Sequence, residues 1–124
     1  IRNCLVGSEM CIRDSLITCF ANDFGFENWI AEAINFYADE QDSVIFISSS
    51  GKSQNMVLGA EKAKQSKLNS IITFTGFEKD NLLSSKGDIN IWIDSKAYNF
   101  VENIHQVILL SIVELIIGDR HYEA

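Results

Sequence analysis

A hydroxyl-rich turn at residues 48–53, with the sequence SSSGKS, is the part of this chain best suited to chemistry. Its four serine hydroxyls can donate hydrogen bonds to several oxygens at once, and Gly51 lets the backbone approach a ligand closely. The helix predicted to follow adds free N–H groups and a positive dipole end, which both favour an anion. Because an ordinary N-capping turn needs only one serine, the sequence predicts a phosphate-binding turn, with helix capping as the alternative.

The end of this turn also matches the end of a nucleotide-binding P-loop. Gly51, Lys52 and Ser53 occupy the last three positions of that motif. The motif requires another glycine five positions before Gly51, where this chain has Phe46 inside a predicted strand. The sequence therefore excludes a P-loop nucleotide site.

The segments around the turn predict an α/β fold. Apolar periodicity predicts strands at residues 16–21, 43–47, 70–75 and 89–93, and helices at residues 27–38, 53–67 and 98–118. The second strand has little polar alternation, which is typical of a central strand covered on both faces. Strands that alternate with helices indicate right-handed crossovers and a parallel sheet.

In a parallel α/β sheet, ligands bind beyond the carboxyl ends of the strands. Asn22 and Asp23 follow the first predicted strand, the serine turn follows the second, and Thr75 with Gly76 ends the third. We therefore expect these three segments to meet at one edge of the sheet.

The composition limits the classes of function. The chain has 124 residues, of which 47% are apolar, and a net charge of −7, which suits one domain with one core. The negative charge argues against binding to nucleic acid or to an anionic membrane. The most apolar stretch, residues 104–117, contains polar side chains and is short for a bilayer, so it is predicted to be a core helix. Three cysteines without a CxxC pair indicate a reduced, cytoplasmic protein.

The first fifteen residues follow no periodic pattern. One choice of codons for the segment LVGSEMCIRDS, residues 5–15, resembles a transposon-end adaptor used in sequencing libraries. We therefore expect residues 1–15 to be a non-native, adaptor-derived segment that should be left out of fold reasoning. Residues 16–124 are then expected to be the C-terminal part of a longer protein.

Four motifs, in this order, resemble the sugar isomerase (SIS) domain of the phosphoheptose isomerase family. They are NDFGFE at residues 22–27, the serine turn, IITFTG at 71–76 and ENIH at 102–105. Each motif alone is weak, but their order and spacing over residues 16–118 are specific. The resemblance implies a three-layer, flavodoxin-like parallel sheet, here without its N-terminal part, and an oligomeric cytoplasmic protein. It also implies interconversion of sedoheptulose 7-phosphate and its aldose phosphate, on the route to lipopolysaccharide heptose.

Carried over position by position, the resemblance assigns substrate contacts to Asn22 and Asp23. The family's phosphate loop matches the serine turn, which assigns phosphate contacts to Ser48, Ser49, Ser50 and Ser53. Lys52 replaces an asparagine of the family's loop and could add a positive charge near the phosphate, although a loop lysine more commonly points into solvent.

Two positions of the last predicted helix depart from the family pattern. The family has a glutamine and, eight residues later, a histidine that serve as metal ligands and in catalysis, whereas this chain has Glu102 and Leu110. Leucine can neither ligate zinc nor move a proton, but Glu102 can do either, which makes Glu102 the candidate catalytic base. The alternative is a solvated carboxylate near a helix N-terminus. His105 matches a frequent family histidine outside the catalytic position, and packing is favoured over catalysis for it.

These features predict a phosphosugar isomerase that interconverts ketose and aldose phosphates. The family's other catalytic glutamate and metal histidine lie upstream of this segment, so we expect the chain alone to be inactive. Zinc is possible in the full-length family, and no metal ligand is assigned here. A non-catalytic phosphosugar-binding SIS protein, regulatory or for assembly, is one alternative, which Leu110 favours; an isomerase of another sugar phosphate is a second. The expected partners are a sugar phosphate and further copies of the chain.

Overall fold

The computed structural model describes residues 14–118, so most of the predicted adaptor-derived segment lies outside the described residues. The elements are α1 (Asp14–Phe24), α2 (Trp29–Tyr37), β1 (Ser43–Ser48), α3 (Gln54–Gln65), β2 (Ser70–Thr75), β3 (Ile89–Trp92) and α4 (Tyr98–Ile117). The predicted helices at 27–38, 53–67 and 98–118 and the predicted strands at 43–47, 70–75 and 89–93 are confirmed, with small shifts at their ends.

The three described strands form a parallel sheet in the order β1-β2-β3. The register pairs Ser48 with Thr75 and Thr75 with Trp92, so the three strands end at the same edge. This edge is where a parallel α/β sheet binds its ligands. The predicted parallel α/β architecture is confirmed for this part of the chain.

One face of the sheet packs against α2 and α3 and forms the core. Phe46 of β1 and Ile71 of β2 belong to this face, and they contact a cluster of buried side chains from the helices and loops: Ile30, Ile34, Val57, Ala60, Ala63, Leu68 and Leu83. Each fully buried side chain of leucine size contributes roughly 1.5–3 kcal/mol relative to exposure. This core fixes α3, and with it the helix start that follows the serine turn.

The prediction of a strand at residues 16–21 is wrong, because these residues belong to helix α1. Leu16, Phe20 and Phe24 recur at four-residue spacing, and Phe20 stacks on Phe36 of α2 with ring centroids 5.4 Å apart. A short run of β-prone residue types is a weak signal, and packing against a neighbouring helix overrides it.

The prediction that β1 is a central strand is also wrong for the described sheet, in which β2 lies between β1 and β3. Ile45 and Ile47 are each 42% exposed because they point away from the face that α2 and α3 cover. An apolar run shows that a strand can be covered on both faces, but it does not show which neighbours cover it.

The prediction of a core helix at residues 104–117 is wrong as well. Among residues 98–117 only Val101 and His105 are buried, and both lie in the first half of α4. Within the described residues, α4 is the one helix long and apolar enough to cross a membrane by length and composition. Its first half, however, is tied to β2 through His105, as described below, which places α4 in the α/β domain.

Candidate functional site

The serine turn follows β1 at the ligand edge of the sheet. Ser48 and Ser49 are buried, and the Gly51 N–H donates to the Ser48 carbonyl oxygen over 3.0 Å. Ser53 is the N-cap residue of α3, yet in the described chain its hydroxyl makes no capping hydrogen bond. The capping alternative therefore does not account for the hydroxyl of Ser53, which lines a cavity with the other serines of the turn.

The loop after β2 supports the backbone of this turn. Gly51 has a positive φ of 62°, and a Cβ at this position would collide with the side chain of Asn81. Asn81 is 3% exposed and held at both ends: Nδ2 donates to the Glu78 carbonyl oxygen and Oδ1 accepts from the Ser84 N–H, each over 2.9 Å. The Leu83 N–H also donates to the Gly51 carbonyl oxygen over 3.0 Å. Glycine is thus required both by the backbone conformation and by the close approach of Asn81.

Replacing Gly51 with alanine is expected to cost about 1–3 kcal/mol from the left-handed backbone, plus the clash with Asn81. The shape of the turn changes, so affinity for inorganic phosphate should fall about tenfold or more, as measured by NMR titration of the full-length protein. Gly118→Ala is the matched control, because Gly118 has a similar φ of 75° but no neighbouring atom within 4 Å of a new Cβ. Equal phosphate affinities for the two variants would contradict this account of the turn.

Glu102, in the first half of α4, lies next to the serine turn. Its Oε1 accepts a hydrogen bond from the Ser49 hydroxyl over 3.2 Å, although 53 residues separate the two along the chain. The backbone of Ser49 is tied to the end of β2 as well, because the Gly76 N–H donates to its carbonyl oxygen over 2.9 Å. The structure therefore brings the candidate base and the candidate phosphate turn into one site.

The serine turn and Glu102 line an open cavity of about 680 Å³. Cavities of this size hold small organic ligands. Glu27 adds a second carboxylate to the cavity wall, and Phe26 and Tyr98 add aromatic rings. The cavity combines a hydroxyl-rich turn at a helix N-terminus with two carboxylates, which are the chemical groups suited to binding an anion and to transferring a proton.

Asn22 and Asp23 are not part of this cavity wall. They lie on the last turn of α1, where both are exposed and Asn22 Nδ2 donates to Asp23 Oδ1 over 3.0 Å. They belong to a helix and do not follow a strand, so the expected meeting of three segments occurs for the serine turn and the end of β2 only. Glu27, a few residues later in the same NDFGFE motif, lines the cavity instead.

Glu27 and Tyr98 are cavity residues that the sequence reasoning missed. In the sequence, Glu27 only ends the NDFGFE motif and Tyr98 only begins a predicted helix, so neither carries a local signal of a site. Lys52, by contrast, is exposed and does not line the cavity. The pKa of the Glu78 carboxyl group is lowered mainly by Lys96, and the positive charge of Lys52 adds a smaller effect in the same direction.

Leu110 lies outside the cavity wall and is 54% exposed. It follows Glu102 by eight residues, which corresponds to about 12 Å along a helix. Among residues 14–118 there is no group of three or more His, Cys, Asp or Glu side chains placed to hold a metal ion.

Solved structures define the class of fold. A phosphoheptose isomerase from Francisella tularensis superposes with a TM-score of 0.78 at 23% identity, over 85% of this chain and 56% of that one. A second, from Neisseria gonorrhoeae, gives a TM-score of 0.75 at 19% identity, over 82% of this chain and 57% of that one. The described residues thus have the α/β fold of these proteins, with its parallel sheet.

Curated sequence relatives of this chain are named phosphoheptose isomerases. The chain is 38% identical over 101 residues to the phosphoheptose isomerase of Fusobacterium nucleatum, covering 81% of this chain and 50% of that protein. It is 32% identical over 104 residues to that of Colwellia psychrerythraea, covering 82% of this chain and 53% of that protein. No family model matches. The chain is a homologue of the phosphoheptose isomerases, as its motifs predicted, and spans about half the length of the curated relatives it matches.

Proposed function

We propose that the protein containing this chain is a phosphosugar isomerase that interconverts a ketose phosphate and an aldose phosphate, such as sedoheptulose 7-phosphate and its aldose isomer. The observation that carries this proposal is the Ser49–Glu102 contact of 3.2 Å, which joins the serine turn to a carboxylate at one cavity. If the turn holds the substrate at its phosphate, the carbonyl end of the sugar is free to lie against the carboxylates.

In this proposal the phosphate lies at the N-terminus of α3. The hydroxyls of Ser48, Ser49, Ser50 and Ser53 and the first N–H groups of the helix donate hydrogen bonds to its oxygens, and the helix dipole adds a favourable field. The Ser49 hydroxyl, which Glu102 accepts from in the described structure, turns to the phosphate when substrate binds. Asn22 and Asp23 contact substrate only if the end of α1 moves towards the cavity.

Isomerisation moves a proton between two adjacent carbons, which requires a base close to both of them. Glu102 takes this role in the proposal, since its carboxylate lines the cavity beside the serine turn. Because the chain spans half the length of its relatives, we propose that the remaining site residues, including any ligands of zinc, come from outside residues 14–118. We further propose a cytoplasmic homo-oligomer, and an adaptor origin for residues 1–15; native codons continuing upstream through Ser15 at the genomic locus would contradict that origin.

The direct test is an assay of the full-length protein with sedoheptulose 7-phosphate, with and without added zinc. We expect isomerisation, and we expect the 124-residue chain alone to give none. Mass spectrometry cannot separate the isomers, so the assay needs chromatography or NMR of the anomeric protons. Binding of the sugar phosphate without turnover would instead support the non-catalytic alternative, and turnover of a different sugar phosphate would change the substrate.

A further inference from the structure

His105 is one of the two buried residues of α4, and its side chain is 1% exposed. Its Nε2 lies 3.1 Å from the carbonyl oxygen of Thr75, the last residue of β2. A carbonyl oxygen can only accept a hydrogen bond, so Nε2 carries the proton and the ring is the Nε2–H tautomer. Nδ1 is buried too, and no described residue bonds to it. Protonating Nδ1 would create an unpaired buried donor, so the ring is neutral.

The surroundings of the ring agree with a neutral imidazole. Phe74 packs edge-on against it, with ring centroids 5.4 Å apart. Burial lowers the pKa of His105, an effect that exceeds the opposing effects of the Thr75 hydrogen bond and of the Glu102 charge. A neutral, buried ring that makes one hydrogen bond to the backbone is suited to holding two elements together, and it is not suited to proton transfer at the cavity.

The carbonyl oxygen of Thr75 accepts two hydrogen bonds at the edge of the sheet. Besides His105 Nε2, it accepts a hydrogen bond from the Ile93 N–H, immediately after β3, over 2.9 Å. The next residue, Gly76, donates its N–H to the Ser49 carbonyl oxygen, and a Cβ on Gly76 would come within 2.7 Å of the Val101 side chain. His105 and Val101 therefore fasten α4 to the point where β2, β3 and the serine turn meet.

Glu102 and His105 are three residues apart, which places them on neighbouring positions of one helix face. Fixing the imidazole on Thr75 therefore fixes the rotation of α4 that directs Glu102 Oε1 to the Ser49 hydroxyl. Since α4 has only two buried side chains among residues 98–117, the loss of one anchor leaves little else to hold this rotation.

We propose that His105 is a positioning residue: through its hydrogen bond to the Thr75 carbonyl oxygen it holds the Glu102 carboxylate against the serine turn. The inference rests on the proposed function for its catalytic consequence, since Glu102 is the proposed base. A displacement of about 1 Å of a catalytic group can lower a rate about a hundredfold. The serine turn, which is proposed to bind the phosphate, lies between β1 and α3, so substrate affinity should depend little on His105.

The test compares two variants of the full-length protein. His105→Gln keeps a side-chain N–H that can reach the Thr75 carbonyl oxygen, whereas His105→Leu has a similar volume and no donor. We expect His105→Leu to lower kcat for sedoheptulose 7-phosphate about 10–100-fold with KM within about threefold of the original protein, and His105→Gln to recover most of the loss. Equal kcat for the two variants, or a kcat for His105→Leu within twofold of the original, would overturn the proposal.

If the original protein has no isomerase activity, the proposed function is wrong, but the role of His105 can still be tested by a structural measurement. Crystal structures of the original protein and of both variants give the separation of Glu102 Oε1 and Ser49 Oγ. We expect it to stay near 3.2 Å in His105→Gln and to exceed 4 Å in His105→Leu. If His105→Leu does not fold, ¹⁵N NMR of the imidazole in the original protein decides: the Nε2–H tautomer at pH 7 supports the role, and a protonated ring contradicts it.

Discussion

Replacing Glu102 with glutamine in the full-length protein is expected to lower kcat about 10²–10⁴-fold, because general-base catalysis contributes about that much to proton transfer. Glutamine keeps the length of the side chain and can still contact the Ser49 hydroxyl, so the serine turn and KM should change little. The rate of sedoheptulose 7-phosphate isomerisation, measured over a range of substrate concentrations, separates kcat from KM.

The matched control for this variant is Glu114→Gln, on the same helix but not on the cavity wall. It removes the same charge and should leave kcat unchanged within about twofold. If Glu102→Gln keeps its turnover, the base is another residue, and Glu102 is then a solvated carboxylate near the helix start.

Replacing Leu83 with alanine is expected to lower the free energy of unfolding by about 2–5 kcal/mol, the usual cost of truncating a fully buried leucine. Leu83 has no exposed surface and belongs to the core cluster that holds α2 and α3 on the sheet. Urea unfolding of the full-length protein, followed by circular dichroism, measures the change.

The adjacent Leu82 provides the control, because it is 57% exposed and the same leucine-to-alanine change can be made there outside the core. Leu82→Ala should change stability by no more than about 0.5 kcal/mol. The Leu83 N–H, which holds the Gly51 carbonyl oxygen, is kept in both variants. Comparable destabilisation by the two substitutions would show that the loop after β2 does not pack as described here.

The sequence predicted the elements whose pattern is local and long. β2, α3 and α4 were predicted because their apolar residues recur with a strand or helix period. The helix predicted over residues 98–118 ends at Gly118, which has a left-handed φ of 75° and whose N–H donates to the Glu114 carbonyl oxygen. The position of the serine turn between a strand and a helix was also predicted, since a cluster of hydroxyls with a glycine is itself a local signal.

The sequence failed where burial depends on distant partners. Residues 16–21 are a short, β-prone run, yet they are helical and Phe20 packs on Phe36 of α2. The apolar runs in β1 and α4 predicted coverage that the described residues do not supply. Apolar composition states how much a segment can bury, whereas the neighbours that bury it are set by the tertiary structure.

By itself, the sequence determined the class of the fold, the similarity to phosphoheptose isomerases and the position of the hydroxyl-rich turn, because each of these is encoded by residue types at short, regular spacing. Only the tertiary structure decided which side chains share the cavity with that turn. It brought Glu102 to Ser49 and His105 to Thr75 across 53 and 30 residues, and it left Asn22 and Asp23 on an exposed helix end. Such contacts depend on how α4 lies across the ends of the strands, which no local period specifies.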